Sequence, residues 1–274
     1  MKKILFACAL FLLASCEDDE NRFFQLGEFR VLAVQADFPE IDGSSSTPIT
    51  VTLTPFVSDV KAAGRTLSID ILACPDPGLQ IGNEPTCDET LSTTQTIPYV
   101  DIDSSTLGAR FTGAMPSFTV DVPSGLLTGQ TPQTQFNGLD YLITMRFSAG
   151  DETSSTYKRI TVSQRTPKNK NPRIQDVLRN GNTGGSIQNN DTLSIDLLAG
   201  FGAQTYESQD QEGIISEKNE ELTTSWFTYK GTTDLRRTFI DEEAVFEQTP
   251  GTSNPFVVAV LRDDRGGIDV VLRE

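Results

Sequence analysis

The 274-residue chain carries 22 Lys and Arg against 38 Asp and Glu, a formal charge of −16 at pH 7. Nucleic acid and anionic lipid surfaces are held by cationic groups that displace counterions, so both are excluded as partners. There is no histidine, which removes Ser-His-Asp and Cys-His nucleophile activation and the commonest zinc ligand.

The first segment is Lys2 and Lys3 followed by an uninterrupted apolar run from Ile4 to Leu13. A transmembrane helix needs about 20 apolar residues and the core of a signal peptide roughly 7–15, so the run reads as a cleaved export signal. Leu13-Ala14-Ser15-Cys16 resembles the lipobox of bacterial lipoproteins. That resemblance implies cleavage before Cys16 and a lasting membrane anchor of two or three acyl chains on its sulfur, since each buried CH₂ contributes about 0.8 kcal/mol. An ordinary secretory site of the A-x-A kind is absent. Glu17, Asp18, Asp19 and Glu20 then form a solvated acidic tether. With Glu17 rather than an aspartate after the cysteine, the expected location is the cell envelope, on the outer membrane. The acidic run also resembles signals for surface display, while a bare charge run equally suits a solvated linker.

Beyond the tether, hydrophobic alternation has a period of two, the signature of half-buried strands. Strands are predicted over Phe29–Asp37, Thr47–Thr54, Thr66–Ala73, Ser117–Val122, Asp140–Ala149 and Thr156–Ser163. Their inward faces carry Ile49, Val51 and Leu53; Leu67, Ile69 and Ile71; Tyr141, Ile143, Met145 and Phe147; Ile160 and Val162. Ile97-Pro98-Tyr99-Val100 is a short edge strand, where a proline is tolerated. With Cys8 in the signal and Cys16 lipidated, Cys74 and Cys87 remain, 13 positions apart in an exported chain. They are expected to form a disulfide of about 3 kcal/mol that pins an irregular excursion rich in Pro, Asp and Gly.

Residues 164–172, Gln-Arg-Thr-Pro-Lys-Asn-Lys-Asn-Pro, are polar and proline-bounded and read as a semi-extended linker that permits motion between two domains. The second half repeats the order of the first, with strands over Arg173–Leu178 and Leu193–Leu197 and a closing hairpin of Phe256–Leu261 with Ile268–Leu272. Trp226 falls on what reads as the third strand and is a core residue. Short strands, turn-forming residues and no helical crossover favour antiparallel sandwiches over any βαβ fold.

The opening Phe29-Arg30-Val31-Leu32-Ala33-Val34-Gln35-Ala36-Asp37-Phe38-Pro39-Glu40-Ile41, the strand Tyr157–Ser163 leading to Lys168-Asn169-Lys170-Asn171-Pro172, and the closing Arg262–Asp269 resemble bacterial envelope lipoproteins with tandem Ig-like domains. The resemblance covers nearly the whole mature chain and implies an all-β protein of two tandem antiparallel Ig-like β-sandwiches after a lipoprotein signal peptide. The expected organisation is a signal at 1–15, an acidic lipid-anchored tether at 16–27, a first sandwich at 28–163, the linker at 164–172 and a second sandwich at 173–274. The resemblance implies no activity and no catalytic residues, and a fold is not a function.

Oxygen-rich clusters at Asp263, Asp264 and Asp269, and at Glu207, Asp210, Glu212 and Glu217, are of the type that calcium accepts. The first is more simply a hairpin turn, so no metal and no cofactor is assigned. Paired carboxylates hydrolyse glycosides without histidine when set about 5–10 Å apart, but sequence places no pair, and no nucleophile or phosphate-loop motif is present. The chain is therefore read as a non-enzymatic binding or adhesion module, with a protein or glycan partner. The alternative is a structural spacer of the envelope. Phe23, Phe24 and Phe136 are the aromatics that strand cores leave unexplained.

Overall fold

A computed structural model describes residues 23–62, 64–78, 85–108 and 110–274. The signal segment, the lipobox with Cys16 and the acidic run after it lie outside the described residues. The chain is all-β, built of antiparallel sheets stacked as sandwiches. Among the described residues no helix is long and apolar enough to cross a membrane.

The first half contains β1 (Arg30–Ala36), β2 (Glu40–Asp42), β3 (Ile49–Asp59), β4 (Thr66–Pro75), β5 (Gln95–Ile97), β6 (Ile102–Asp103), β7 (Phe111–Ala114), β8 (Phe118–Val122), helix α1 (Pro132–Asn137), β9 (Leu139–Ala149) and β10 (Glu152–Ser163). One sheet joins β1, β3, β7 and β8; the facing sheet runs β2-β10-β9-β4-β5, with β2 parallel to β10 and the rest antiparallel. Alternate residues of each strand point inward, and the core is made of the residues that the alternation marks. Val51, Leu53, Leu67, Ile69, Ile71, Tyr141, Ile143, Met145, Phe147, Ile160 and Val162 are buried, and Ile49 packs partly buried against them. The edge strand is shorter than predicted: β5 ends at Ile97 because Pro98 has no N–H to continue the ladder.

The Gln- and Thr-rich stretch around Phe136 holds a helical turn rather than a loop. Thr131 accepts the Thr134 amide at 3.2 Å and Pro132 pre-sets the first turn. Gly138, with φ of 97°, ends it; a Cβ there would lie 2.7 Å from Thr161 Cγ2, so no other residue turns the chain into β9 at this spot.

The second half has β11 (Ile174–Arg179), β12 (Thr192–Leu197), β13 (Thr205–Gln209), β14 (Ile215–Asn219), β15 (Leu222–Tyr229), β16 (Gly231–Thr233), β17 (Arg237–Phe239), β18 (Ala244–Gln248), β19 (Phe256–Asp263) and β20 (Ile268–Arg273). Sheets β11-β12-β18-β16 and β17-β15-β19-β20 enclose a core of Leu193, Trp226, Phe246, Val257 and Leu261. The opening strands of both halves pair alike, each with a register shift near its start, at Val31/Ala33 and Ile174/Asp176. Trp226 is fully buried, its indole N–H donating to Thr238 Oγ1 at 2.9 Å. Its strand is third only when the β13–β14 hairpin is set aside, and this hairpin occupies what sequence presented as a long acidic connection.

Residues 164–172 are not the exposed spacer that their polarity suggested. Arg165 and Asn169 are buried, and they bind Glu40, which lies on the three-residue strand β2 and is 2% exposed. Glu40 Oε1 accepts from the Ser163 hydroxyl at 2.5 Å and from Arg165 at 3.1 and 3.2 Å. Its Oε2 accepts from the Asn169 amide at 2.9 Å and from Arg265 on the closing turn of the second half. Arg265 also donates to Glu220 at 2.9 Å and covers the Tyr206 ring at 4.4 Å.

Two further contacts fasten the halves. Leu26, Leu32 and Ala33 pack against Phe227, Val258 and Val260 in a separate apolar cluster. Phe24 packs with its ring tilted 5.4 Å from that of Phe227, and the Leu26 amide donates to Thr228 O at 2.7 Å, so residues 23–27 lie on the second sandwich instead of extending the tether. The β13–β14 hairpin reaches back to α1, where Asn137 exchanges hydrogen bonds of 2.7 and 2.9 Å with the Gln209 backbone. Each large apolar side chain buried this way contributes about 1.5–3 kcal/mol, whereas a buried ion pair roughly breaks even against an apolar replacement. The apolar cluster thus supplies the attraction, and the Glu40 network fixes how the halves meet.

Removing one partner of such a network leaves the others charged, buried and uncompensated. Glu40→Ala should therefore lower stability by about 3–5 kcal/mol, read from urea unfolding in which the wild-type chain melts in one transition. A loss below about 0.5 kcal/mol, the range of an ordinary surface substitution, would show that the network does not hold the halves.

Candidate functional site

Cys74 and Cys87 form a disulfide with Cα atoms 5.8 Å apart. The bridge packs with Leu142 and Leu72 on the outer face of the β10-β9-β4 sheet. The acidic residues considered for calcium do not converge. Asp263 accepts the Arg265 and Gly267 amides at 2.9 and 2.6 Å, as a turn-capping aspartate does, and a Cβ on Gly267 would fall 2.1 Å from its Oδ2. Asp269 accepts the Ile174 amide at 2.7 Å, Asp264 the Glu221 amide at 3.4 Å and Asp210 the Ile214 amide at 2.7 Å. Among the described residues no group of three or more Cys, Asp or Glu is placed to hold a metal ion.

The junction gathers several buried ionisable groups, and these groups bind one another. Burial raises Glu40, but the Ser163 hydroxyl, Arg165, the Asn169 amide and Arg265 outweigh that and hold the carboxyl below its ordinary value. Burial raises Asp263 as well, against the Gly267 and Arg265 amides. Glu220 is pushed up to about 6 by burial and by nearby Asp263, against the Gln204 amide and Arg265. Lys158, on the inner face of β10, donates to Gly266 O; burial brings its ammonium down to about 8 despite Asp263 nearby. Apart from Arg265 Nε, which is buried without a partner among the described residues, the charged groups here are bound to one another within the protein, which makes the cluster a joint.

A different arrangement occurs on the outer face of the first sandwich. A groove of about 650 Å³ crosses β4, β9 and β10, walled by the end of the disulfide excursion, Pro85–Cys87, and by the 96–101 segment. The register places two rows on its floor: Asp70, Arg146 and Ser155 in one, and Thr96, Leu72, Thr144 and Tyr157 in the other. Strands sit about 4.8 Å apart, so each row is a short ladder across the sheet. Tyr157 is 43% exposed. Arg159 lies over one face of its ring at 4.9 Å and is itself held by Asp76 at 2.5 Å, a residue of the excursion that the disulfide closes. The bridge therefore reaches the groove through Asp76 and Arg159. On the opposite wall the Tyr99 hydroxyl donates to Pro116 O at 3.0 Å, and burial pushes it up to about 12.

Among the described residues, the side chains of Asp70 and Arg146 make no hydrogen bond or ion pair, even though they are exposed cross-strand neighbours. Some exposed aspartates are instead occupied by their own turns, as Asp42 is by Ser44 and Asp88 by Thr90. The aromatics left unexplained by sequence do not form this site. Phe24 packs on Phe227, Phe23 lies 5.1 Å from Phe24 under Arg30, and Phe136 is half-buried in α1. The signal for Tyr157 was parity: if Ile160 and Val162 point inward, it points out.

No protein-family model matches the chain. No curated protein matches it. Among solved structures it is similar to the Yersinia pseudotuberculosis adhesin InvE, at 11% identity over 88% of this chain and 57% of that one, with a TM-score of 0.21. It is also similar to Salmonella alpha-2-macroglobulin reacted with methylamine, at 10% identity over 88% of this chain and 16% of that one, with a TM-score of 0.23. The chain thus spans little more than half of the first and a small part of the second. Likenesses this remote carry no argument about what the chain does.

Two of the shifts give a pH profile. Glu220 keeps its proton longer in the folded chain, so stability should fall as pH rises from about 4.5 to about 6. Lys158 gives up its proton earlier when folded, so stability should rise as pH climbs from about 8 to about 10.5. Urea midpoints across that range should show both limbs, with Glu220→Gln flattening the acid one and Lys158→Met the alkaline one; a profile that neither variant changes would contradict the assignment. For the bridge, Cys74→Ala should cost about 2–4 kcal/mol and leave Cys87 open to alkylation. Full stability of that variant would show that the bridge constrains nothing.

Proposed function

We propose that the protein is an envelope lipoprotein, anchored through lipid on Cys16, that serves without catalysis as a binding or adhesion module. The observation that carries this reading is the groove on the first sandwich, where the side chains of Asp70 and Arg146 have no partner within the described chain while Arg159, held by Asp76 of the disulfide-bridged excursion, backs the exposed Tyr157 ring. A spacer has no use for such a surface. The fastening of the two halves suits either role, since it would let the second sandwich and residues 23–27 hold the groove at a fixed attitude to the anchor.

Cys16→Ser should move the chain from the membrane to the soluble fraction, because among the described residues no helix provides another anchor. The immobilised full mature chain should retain envelope or cell-surface material that an Asp70→Ala/Tyr157→Ala double variant of equal stability does not. Retention of the Cys16→Ser chain on membranes after a high-salt wash would remove the lipid anchor. Equal retention by the parent and the double variant would remove the groove as the binding surface.

A further inference from the structure

We infer that the groove takes a neutral oligosaccharide, an inference that rests on the binding-module reading and names its ligand class. The floor and walls supply what sugar hydroxyls require. Asp70 and Arg146 stand side by side as an unspent acceptor and an unspent multiple donor, flanked by the hydroxyls of Ser155, Thr144 and Thr96. A carboxylate accepts from two adjacent hydroxyls at once, and a guanidinium donates to ring or hydroxyl oxygens in a fixed fork. The Tyr157 ring, with Arg159 over one face, has its free face for the C–H surface of a sugar. Leu72 in the same row supplies the small apolar floor that such a ring rests on.

Other ligand classes fit less well. Glu89 and Asp101 join Asp70 along the groove against the single cation Arg146, and the chain is strongly acidic overall, so a polyanion is repelled. An added peptide strand would run along a sheet edge, here the side of β10 left open beyond its three-residue pairing with β2, whereas Asp70 and Arg146 lie inward of that edge on the floor. A fatty ligand needs an apolar enclosure, whereas this groove is open and polar groups make up nearly half of its lining. The two rows cross the strands one strand spacing at a time, which suits successive rings of an extended chain.

The test uses the full mature chain carrying Cys16→Ser, titrated with neutral linear hexasaccharides of glucose, N-acetylglucosamine, mannose and galactose, and with a uronic-acid oligosaccharide as the charged control. At least one neutral probe should bind, and the charged control should not. Tyr157→Ala and Asp70→Asn should each weaken binding about tenfold or more, while Tyr157→Phe, which keeps the ring, should stay within about threefold. Material retained by the immobilised chain should be destroyed by periodate oxidation of its sugars and survive protease. Retained material that is destroyed by protease and survives periodate would overturn the glycan inference while leaving the binding module standing. If no probe bound and nothing were retained, both would fall.

Discussion

Glu40 sits on a strand of only three residues, yet its two carboxylate oxygens accept from four residues drawn from both halves of the chain and from the segment between them. A carboxylate with 2% exposure would be a heavy cost if any of those donors were missing. With Arg165 and Arg265 both present it becomes a joint that tolerates one arrangement of the halves. The remaining groups follow from it: Arg265 is shared with Glu220, Glu220 with Gln204, and Asn169 with Asp263. Because a buried ionic network adds little net attraction, its effect is on geometry, while Leu32, Phe227 and Val258 supply the affinity.

The segment that carries Arg165 and Asn169 shows why composition misleads about linkers. Polar residues with two prolines are the usual mark of solvated chain, and single-residue hydropathy cannot tell a solvated arginine from one buried against a glutamate more than a hundred positions away. The partner is invisible until the fold brings it near. The same holds for residues 23–27, which follow an acidic run but begin with two aromatics that sequence could not assign to a core, and which pack on β15 of the other half.

What period-two alternation governs was legible. The inward faces of β3, β4, β9 and β10 came directly from spacing, because one face of each is sealed against the opposing sheet and a slip of one residue would expose the whole row. The paired cysteines and the core tryptophan were legible for a similar reason, each having one common use in a β-sandwich. The α1 turn and the β13–β14 hairpin were not. Both are short, lack an apolar face of their own, and are held by side-chain contacts to distant backbone, as between Asn137 and Gln209. The groove was half legible: parity fixed which side chains leave the sandwich, but its walls come from irregular chain whose path depends on the disulfide and on Asp76 meeting Arg159.

The two polar clusters also show how a joint can be told from a binding surface without any ligand in view. At the junction the buried charges are paired within the protein, and replacing water there is compensated by fixed donors and acceptors at every group but Arg265 Nε. In the groove the opposite holds: Asp70 faces Arg146 across adjacent strands, where a surface ion pair would contribute roughly 0–1 kcal/mol, and the two do not pair. Forming that pair would cost side-chain entropy for little return. Left solvated, the same groups keep their hydrogen-bonding capacity for a ligand, and the ordering cost is met only when the ligand's own hydroxyls and the Tyr157 ring add to the gain. The stiff part of the molecule and the receptive part are therefore separate: β10 carries Tyr157 into the groove, and Asp76 of the disulfide-bridged excursion holds the Arg159 that backs one face of its ring.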